Sequence, residues 1–184
     1  VAVLQQGLND YAGALDTVLY AWNPTTNYGN EWSLYVRSND YQAALMRFDL
    51  SPIPPGAVIE NASLSLYSYA SSNVNLLVAD VFAVKRQWVV TEATWISATV
   101  TAPWDEPGCN GIGSDRDGVV VDVQGFDSFG QWYTFTVTSL VQAWLADPAS
   151  NFGLVVKGRP GDQVQYSFRS SDSPVTSQRP FLTV

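Results

Sequence analysis

Seventeen carboxylates, nine lysine or arginine side chains and not one histidine bound the chemistry open to this 184-residue chain. Without histidine, the commonest general base and the commonest metal ligand are both missing. A Ser-His or Cys-His nucleophile pair and a His-containing zinc site cannot be built. A Ser-Lys pair would need Lys85 or Lys157, and neither stands in a spacing motif with a serine. No Gly-rich phosphate loop occurs. Glycoside hydrolysis needs two carboxylates about 5–10 Å apart across a cleft. Of the four glutamates, Glu92 lies between Trp88 and Trp95 and reads as a cap for the turn Thr91–Trp95. No base-nucleophile constellation is visible, so the chain is not expected to be an enzyme.

Calcium is the metal that fits these residue types, because it takes six to eight oxygens from loop carboxylates, amides and carbonyls. Asp115-Arg116-Asp117-Gly118 offers two carboxylates at the end of a long loop; Asp16, at a strand start, and Asp172, in Ser170-Ser171-Asp172, are the other candidate ligands. The competing reading is that these aspartates close turns on their own backbone. Aromatic rings are the second resource, with seven tryptophans and nine tyrosines. An exposed ring can stack on the apolar face of a sugar. Tyr67 and Tyr69 are expected on the outer face of a strand, with Tyr35 in a similar position, and Trp22 and Trp104 near or in loops. These five are the candidate ligand-binding rings. Trp88, Trp95, Trp132 and Trp144 are expected in the core.

The elements that position these residues are strands. Ala44–Tyr67 sets the pattern: Ala44, Met46, Phe48 and Leu50 alternate with Leu45, Arg47 and Asp49, and alternation resumes at Ala62, Leu64 and Leu66. Between them Ser51–Gly56 carries three prolines and cannot pair. Further strand-like runs are Val1–Gln6, Leu15–Trp22, Trp32–Arg37, Leu76–Val84, Gly118–Val123, Trp132–Val137, Phe152–Lys157, Val164–Arg169 and Pro180–Val184. Turn residues separate them. Leu140, Val141, Trp144 and Leu145 share one face of a short helix near residues 139–146, for which Thr138 is the expected N-cap. Pro24-Thr-Thr-Asn-Tyr-Gly29 and Pro148-Ala-Ser-Asn-Phe-Gly153 echo each other, either as equivalent corner turns or as paired sites with free Asn oxygens. Arg47, between Met46 and Phe48, is expected to pair with a carboxylate, Asp16 first. The fold class is therefore all-β: a jelly-roll-like antiparallel β-sandwich with one short helix, as a single domain over residues 1–184.

A net charge of −8 argues against nucleic acid. No apolar run reaches the ~20 residues of a membrane-spanning helix, so no membrane insertion is expected. Cys109 stands alone, which rules out an internal disulfide. The abrupt strand-like start reads as a processed N-terminus of an extracellular or cell-surface protein.

In order and spacing the chain resembles a known family. The features are Asp16-Thr17, Asn27-Tyr28-Gly29, Arg47-Phe48-Asp49 with its Pro/Gly loop, Ala62–Tyr67, Trp88 with Glu92–Trp95, and Trp104 with Asp115-Arg116-Asp117. They continue through Val137–Trp144, Asn151-Phe152-Gly153, Phe168–Asp172 and Arg179-Pro180. This pattern is similar to the DNRLRE-domain family, akin to alginate-binding carbohydrate modules. The resemblance implies a secreted, non-catalytic β-sandwich of bacterial or archaeal surface proteins and fixes no ligand. Two functions follow as expectations. One is polysaccharide binding or cell-surface attachment. The other is a structural subunit of an extracellular filament or sheath, in which residues 1–7 form an exchangeable strand inserted into an identical neighbour. Partners are then a polysaccharide or identical subunits, and structural Ca2+ is the one cofactor considered.

Overall fold

The computed structural model describes residues 1–184. Its early strands are β1 (Val3–Gln5), β2 (Ala14–Tyr20), β3 (Ser33–Arg37), β4 (Gln42–Phe48), β5 (Ser63–Ser71) and β6 (Leu77–Ala83). A small hairpin, β7 (Ser97–Thr99) and β8 (Ala102–Pro103), comes next, followed by β9 (Asp122–Phe126) and β10 (Gln131–Thr136). After the one α-helix, α1 (Thr138–Ala146), come β11 (Leu154–Gly158), β12 (Gln165–Arg169) and β13 (Phe181–Thr183).

Strand pairing is antiparallel throughout and resolves into two layers. In the first, β5 pairs with β10 along one edge and with β13 and then β12 along the other. β3 extends this layer beyond β12, and β1 extends it beyond β13. In the second, β4 lies between β2 and β11, and the order continues through β6 to β9. The layers join at the Arg37↔Gln42 pair, where β3 turns into β4. The result is the expected all-β sandwich rather than a closed barrel.

Alternation builds the core between the layers. Leu64 and Leu66 of β5 and Tyr166 and Phe168 of β12 meet Met46 of β4 and Val156 of β11, all of them buried. Each such side chain contributes roughly 1.5–3 kcal/mol. Leu140, Val141 and Trp144 of α1 close one end of this core. The helix starts differently from expectation: Thr138 does not cap it, and its hydroxyl instead accepts the Ala62 N–H at 2.9 Å.

A second core covers the opposite face of the second layer. Leu19, Leu45, Phe82 and Val155 pack there under Trp88, Trp104 and Cys109, which come from the excursion between β6 and β9. β4 and β11 are thus buried on both faces, which is why their sequences run nearly all apolar. The polar face expected of Ala44–Leu50 does not exist as such. Arg47 sits at its rim, its guanidinium 5.3 Å from the Trp88 ring centre. It does not meet Asp16: Leu15 is opposite Arg47 and Asp16 opposite Met46, so the two side chains leave opposite faces.

Two further expectations change. The strand expected at Gly118–Val123 is β9, four residues later, and leaves Val119 exposed. Val1–Gln6 is not an open strand. β1 pairs with β13 of its own chain, with Val3 opposite Thr183 and Gln5 opposite Phe181, and Leu4 is buried in the main core. Strand exchange with a neighbour loses its main support. The echoed turns are corner turns. A Cβ on Gly29 would lie 2.1 Å from the Val90 carbonyl oxygen, and one on Gly153 2.0 Å from that of Met46. Asn27 donates to the carbonyls of Val90 and Ala93, and Asn151 to that of Phe48.

Candidate functional site

The two layers leave one broad sheet face open to solvent. The outer side of the second layer is sealed by the excursion, so the open face is the outer side of the first. Its side chains are the odd-numbered residues of β3 and β12 and the partners of Tyr67 across β5. Tyr67 packs edge-to-face on Trp132 of β10, with ring centres 5.3 Å apart and planes at 71°. Trp132 in turn meets Phe181 of β13 at 4.9 Å and 64°. Trp132 is 37% exposed, and so it belongs to this face and not to the core where it was expected. The alternation Trp132, Thr134, Thr136 was the available signal, because two threonines mark a solvent face.

Farther across the sheet, Tyr69 is displaced by a register shift where β5 meets β12. A bulge of this kind re-aims a side chain. The Tyr69 hydroxyl lies 2.8 Å from that of Ser33, and the Arg169 guanidinium stacks 4.1 Å above its ring. Tyr35 stands beside them, its phenol raised mainly by burial, with Ser33 and Tyr69 as polar neighbours. At the end of β3, Arg37 lies 4.8 Å from the ring centre of Trp22, which is 51% exposed and packs on Tyr41 at 5.0 Å and 32°. Rings and guanidiniums thus run from β10 to β3, roughly 15 Å at ordinary strand spacing.

Charge is partitioned between the layers. The strands β1, β3, β5, β10, β12 and β13 contain no Asp, Glu or Lys, and their only charged residues are Arg37 and Arg169. Each strand of the second layer carries a charged residue: Asp16, Arg47, Asp80, Asp122 and Lys157. The salt bridges also lie outside the first layer. They pair Lys85 with Asp117, Arg86 with Asp115, Lys157 with Asp40 and Arg159 with Asp80. Arg37 and Arg169 bond instead to the neutral amides of Gln163 and Gln178, at 3.0 and 3.2 Å. The Nε of Arg37 is buried without a partner. A guanidinium in no salt bridge keeps donors of its fork for an incoming oxygen.

Of the five rings selected from the sequence, the structure brings Tyr35, Tyr67, Tyr69 and Trp22 to this face or its end. Trp104 is not among them. It is 3% exposed, and its Nε1 donates to the Thr94 carbonyl at 2.8 Å inside the second core. Phe181, Trp132 and Arg169 were not foreseen. Trp32, also unforeseen as a surface ring, is 63% exposed just before β3.

The aspartates selected for calcium fall in two separate regions, and no three acidic side chains converge on a common centre. Asp16 is buried and accepts the Ser171 N–H at 2.7 Å; Asp172, close by, is exposed. Asp115 is buried under its own loop. Its oxygens accept the N–H groups of Asp105, Glu106 and Gly111 at 2.9–3.0 Å and bond to Arg86. Burial would raise this carboxyl, but those three backbone donors and Arg86 hold it below the usual range. Asp117 pairs with Lys85 at 3.1 Å. The long loop that ends in Asp115-Arg116-Asp117-Gly118 is therefore wound around one carboxylate. Glu92 accepts the Val100 N–H at 2.9 Å, a cap on the β7–β8 hairpin.

No curated protein matches the chain. The model of carbohydrate-binding module family 96 matches residues 11–184, nearly the whole sandwich including the open face, and the chain belongs to that family.

Proposed function

We propose that the outer face of the first layer binds a polysaccharide chain, with acidic sugars preferred, and that the protein does so outside the cell without cleaving its ligand. The observation that carries this reading is the charge partition. In a chain of net charge −8, one open sheet face holds aromatic rings and two arginines and no carboxylate in any of its strands. Trp132, flanked by Tyr67 and Phe181, offers a ring to the apolar face of a sugar. Arg169 and Arg37 offer bidentate donors to a uronate carboxylate. The absence of histidine and of a carboxylate pair on this face supports binding without catalysis.

The test is titration calorimetry with a soluble polyuronate and a neutral glucan, each at low and high salt. The polyuronate should bind more tightly, and its affinity should fall as salt rises. Trp132→Ala and Arg169→Gln should each lower that affinity about tenfold or more, or about 1.4 kcal/mol. Wild-type affinity in both variants would overturn the assignment to this face; preference for the glucan would overturn the acidic class.

A further inference from the structure

The second layer holds a group of side chains that polysaccharide binding does not use. Lys157 points from β11 into the second core and is 5% exposed. Its ammonium donates to both oxygens of Asp40 at 2.9 Å and to the Gly108 carbonyl at 2.7 Å. Asn110 donates its Nδ2 to the same Asp40 Oδ2, also at 2.9 Å. One carboxylate oxygen therefore bridges a buried amine and a carboxamide. Trp95 covers the site, its ring centre 6.0 Å from the amine, and Cys109 is buried beside it.

The backbone is strained on both sides of this contact. Asn39 and Asp40 have φ of 61° and 56°, and Cys109 has 59°, all left-handed without being glycine. Such conformations are held only where the surroundings over-determine them, and they cluster at functional sites. The Asn110 side is fixed by Asp115, which takes the N–H groups of Asp105, Glu106 and Gly111.

We infer that Lys157 and Asn110 form an intramolecular isopeptide bond, with Asp40 as the proton carrier. Asp40 takes a proton from the Lys157 ammonium. The freed amine adds to the Asn110 carboxamide carbon, and a C–N bond forms. Asp40 delivers that proton to Nδ2 and takes the second proton from the added nitrogen; the old C–N bond breaks, and ammonia leaves, carrying the second proton away as ammonium. The atoms balance with no oxidant or cofactor. Holding amine, amide and acid together removes the entropic barrier that makes this reaction negligible between free side chains. Asp40 acts as carrier rather than electrophile because its Oδ2 holds both the amine and the Asn110 amide nitrogen, which places it between the proton's source and the leaving group. The product would tie the central strand β11 to the excursion that covers it, in a chain whose single cysteine permits no internal disulfide.

Intact-mass spectrometry of the purified protein tests this directly. The expected result is a mass about 17 Da below that of the sequence, one ammonia lost in acyl transfer to an amine. Tandem spectra should contain a branched peptide joining Lys157 to Asn110. Lys157→Arg and Asn110→Ala should each restore the full mass. The wild-type spectrum decides the matter even if a variant fails to fold. An unmodified mass overturns the inference. So does a loss of about 18 Da on a Lys157–Asp40 peptide, which is condensation with the carboxyl and a different acyl transfer. A loss of ammonia confined to Asn110-Gly111, with Lys157 free, is cyclisation of that dipeptide and also overturns it. Polysaccharide binding is read on the other layer, so failure here leaves the proposed function untouched.

Discussion

Replacing Asp16 with asparagine should stabilise the protein at neutral pH and above and do little in acid. Asp16 sits on β2 with its carboxyl fully buried. Burial pushes it up to about 7 from an ordinary value of 3.8, overriding the hydrogen bonds from Ser171 and the distant pull of Arg179, while Asp172 pushes the same way as burial. Between these two values the folded chain holds a proton that the unfolded chain has released. Stability must therefore fall as pH rises through that window. Three units correspond to about 4 kcal/mol over the whole window, and to about 3 kcal/mol of it between about pH 5 and about pH 8. Asparagine keeps an acceptor for the Ser171 N–H, now 2.7 Å from Oδ2, and never ionises.

The assay is urea unfolding followed by tryptophan fluorescence, for wild type and Asp16→Asn, across that range. The difference between the two should widen by about 3 kcal/mol towards alkaline pH, with the variant the more stable. Other perturbed groups do not interfere. Asp115 has the opposite sign, since its depressed carboxyl contributes stability that is lost only as pH falls below the ordinary carboxylate range. Cys109 is pushed up to about 12 and Tyr11 is also raised, so both lie above the window. Parallel stability curves for the two proteins would refute the reasoning, because they would mean that Asp16 is ionised at no cost.

Two further outcomes are expected. Asp115→Ala should lower unfolding stability by about 3–5 kcal/mol, since it strands Arg86 and three backbone donors, and should open the 105–117 loop to protease; a loss below about 1 kcal/mol would show that the carboxylate does not organise the loop. A chelator should leave the melting temperature within about 1 °C of its value in calcium, because no three acidic groups converge, whereas a calcium-bound form should shift by several degrees.

The strands could be read from the sequence because their signal is local. Alternation in Leu64, Leu66 and in Leu34, Val36 fixes which side is core, whatever lies across from it. The second core could not be read, because it depends on where a remote excursion lands. Trp104 sits in a loop, and a tryptophan in a loop looks exposed until β4 and β11 are known to need a cover. The same burial turned Leu45 from an outward residue into a core residue and left Arg47 at a rim without its expected partner. Trp132 failed in the other direction. Taken singly, its size argued for the core, while its two threonine neighbours at alternate positions argued for solvent, and the pattern was the better guide. Asp115 was read as a candidate calcium ligand because of its loop neighbours. That the neighbours supply N–H groups instead of a cation is a matter of backbone direction, which composition does not encode.

The geometry of the open face also bears on how it would hold a ligand. Tyr67, Trp132 and Phe181 meet at steep angles, 71° and 64°, so they do not make one flat shelf. Edge-to-face contacts of this kind contribute about 0.5–1.5 kcal/mol beyond area burial and hold each ring before any sugar arrives. Arg169 is likewise held over Tyr69 and by Gln178. A face whose side chains are already ordered gives up little conformational entropy on binding. The stacking surface at any one ring is small, however. A chain lying across β10, β5 and β12 would gain from several modest contacts spaced along it, and a single sugar unit would gain from one. Short oligosaccharides should therefore bind far more weakly than long ones, which is the behaviour of a face that grips an extended polymer and not of a pocket that encloses its end.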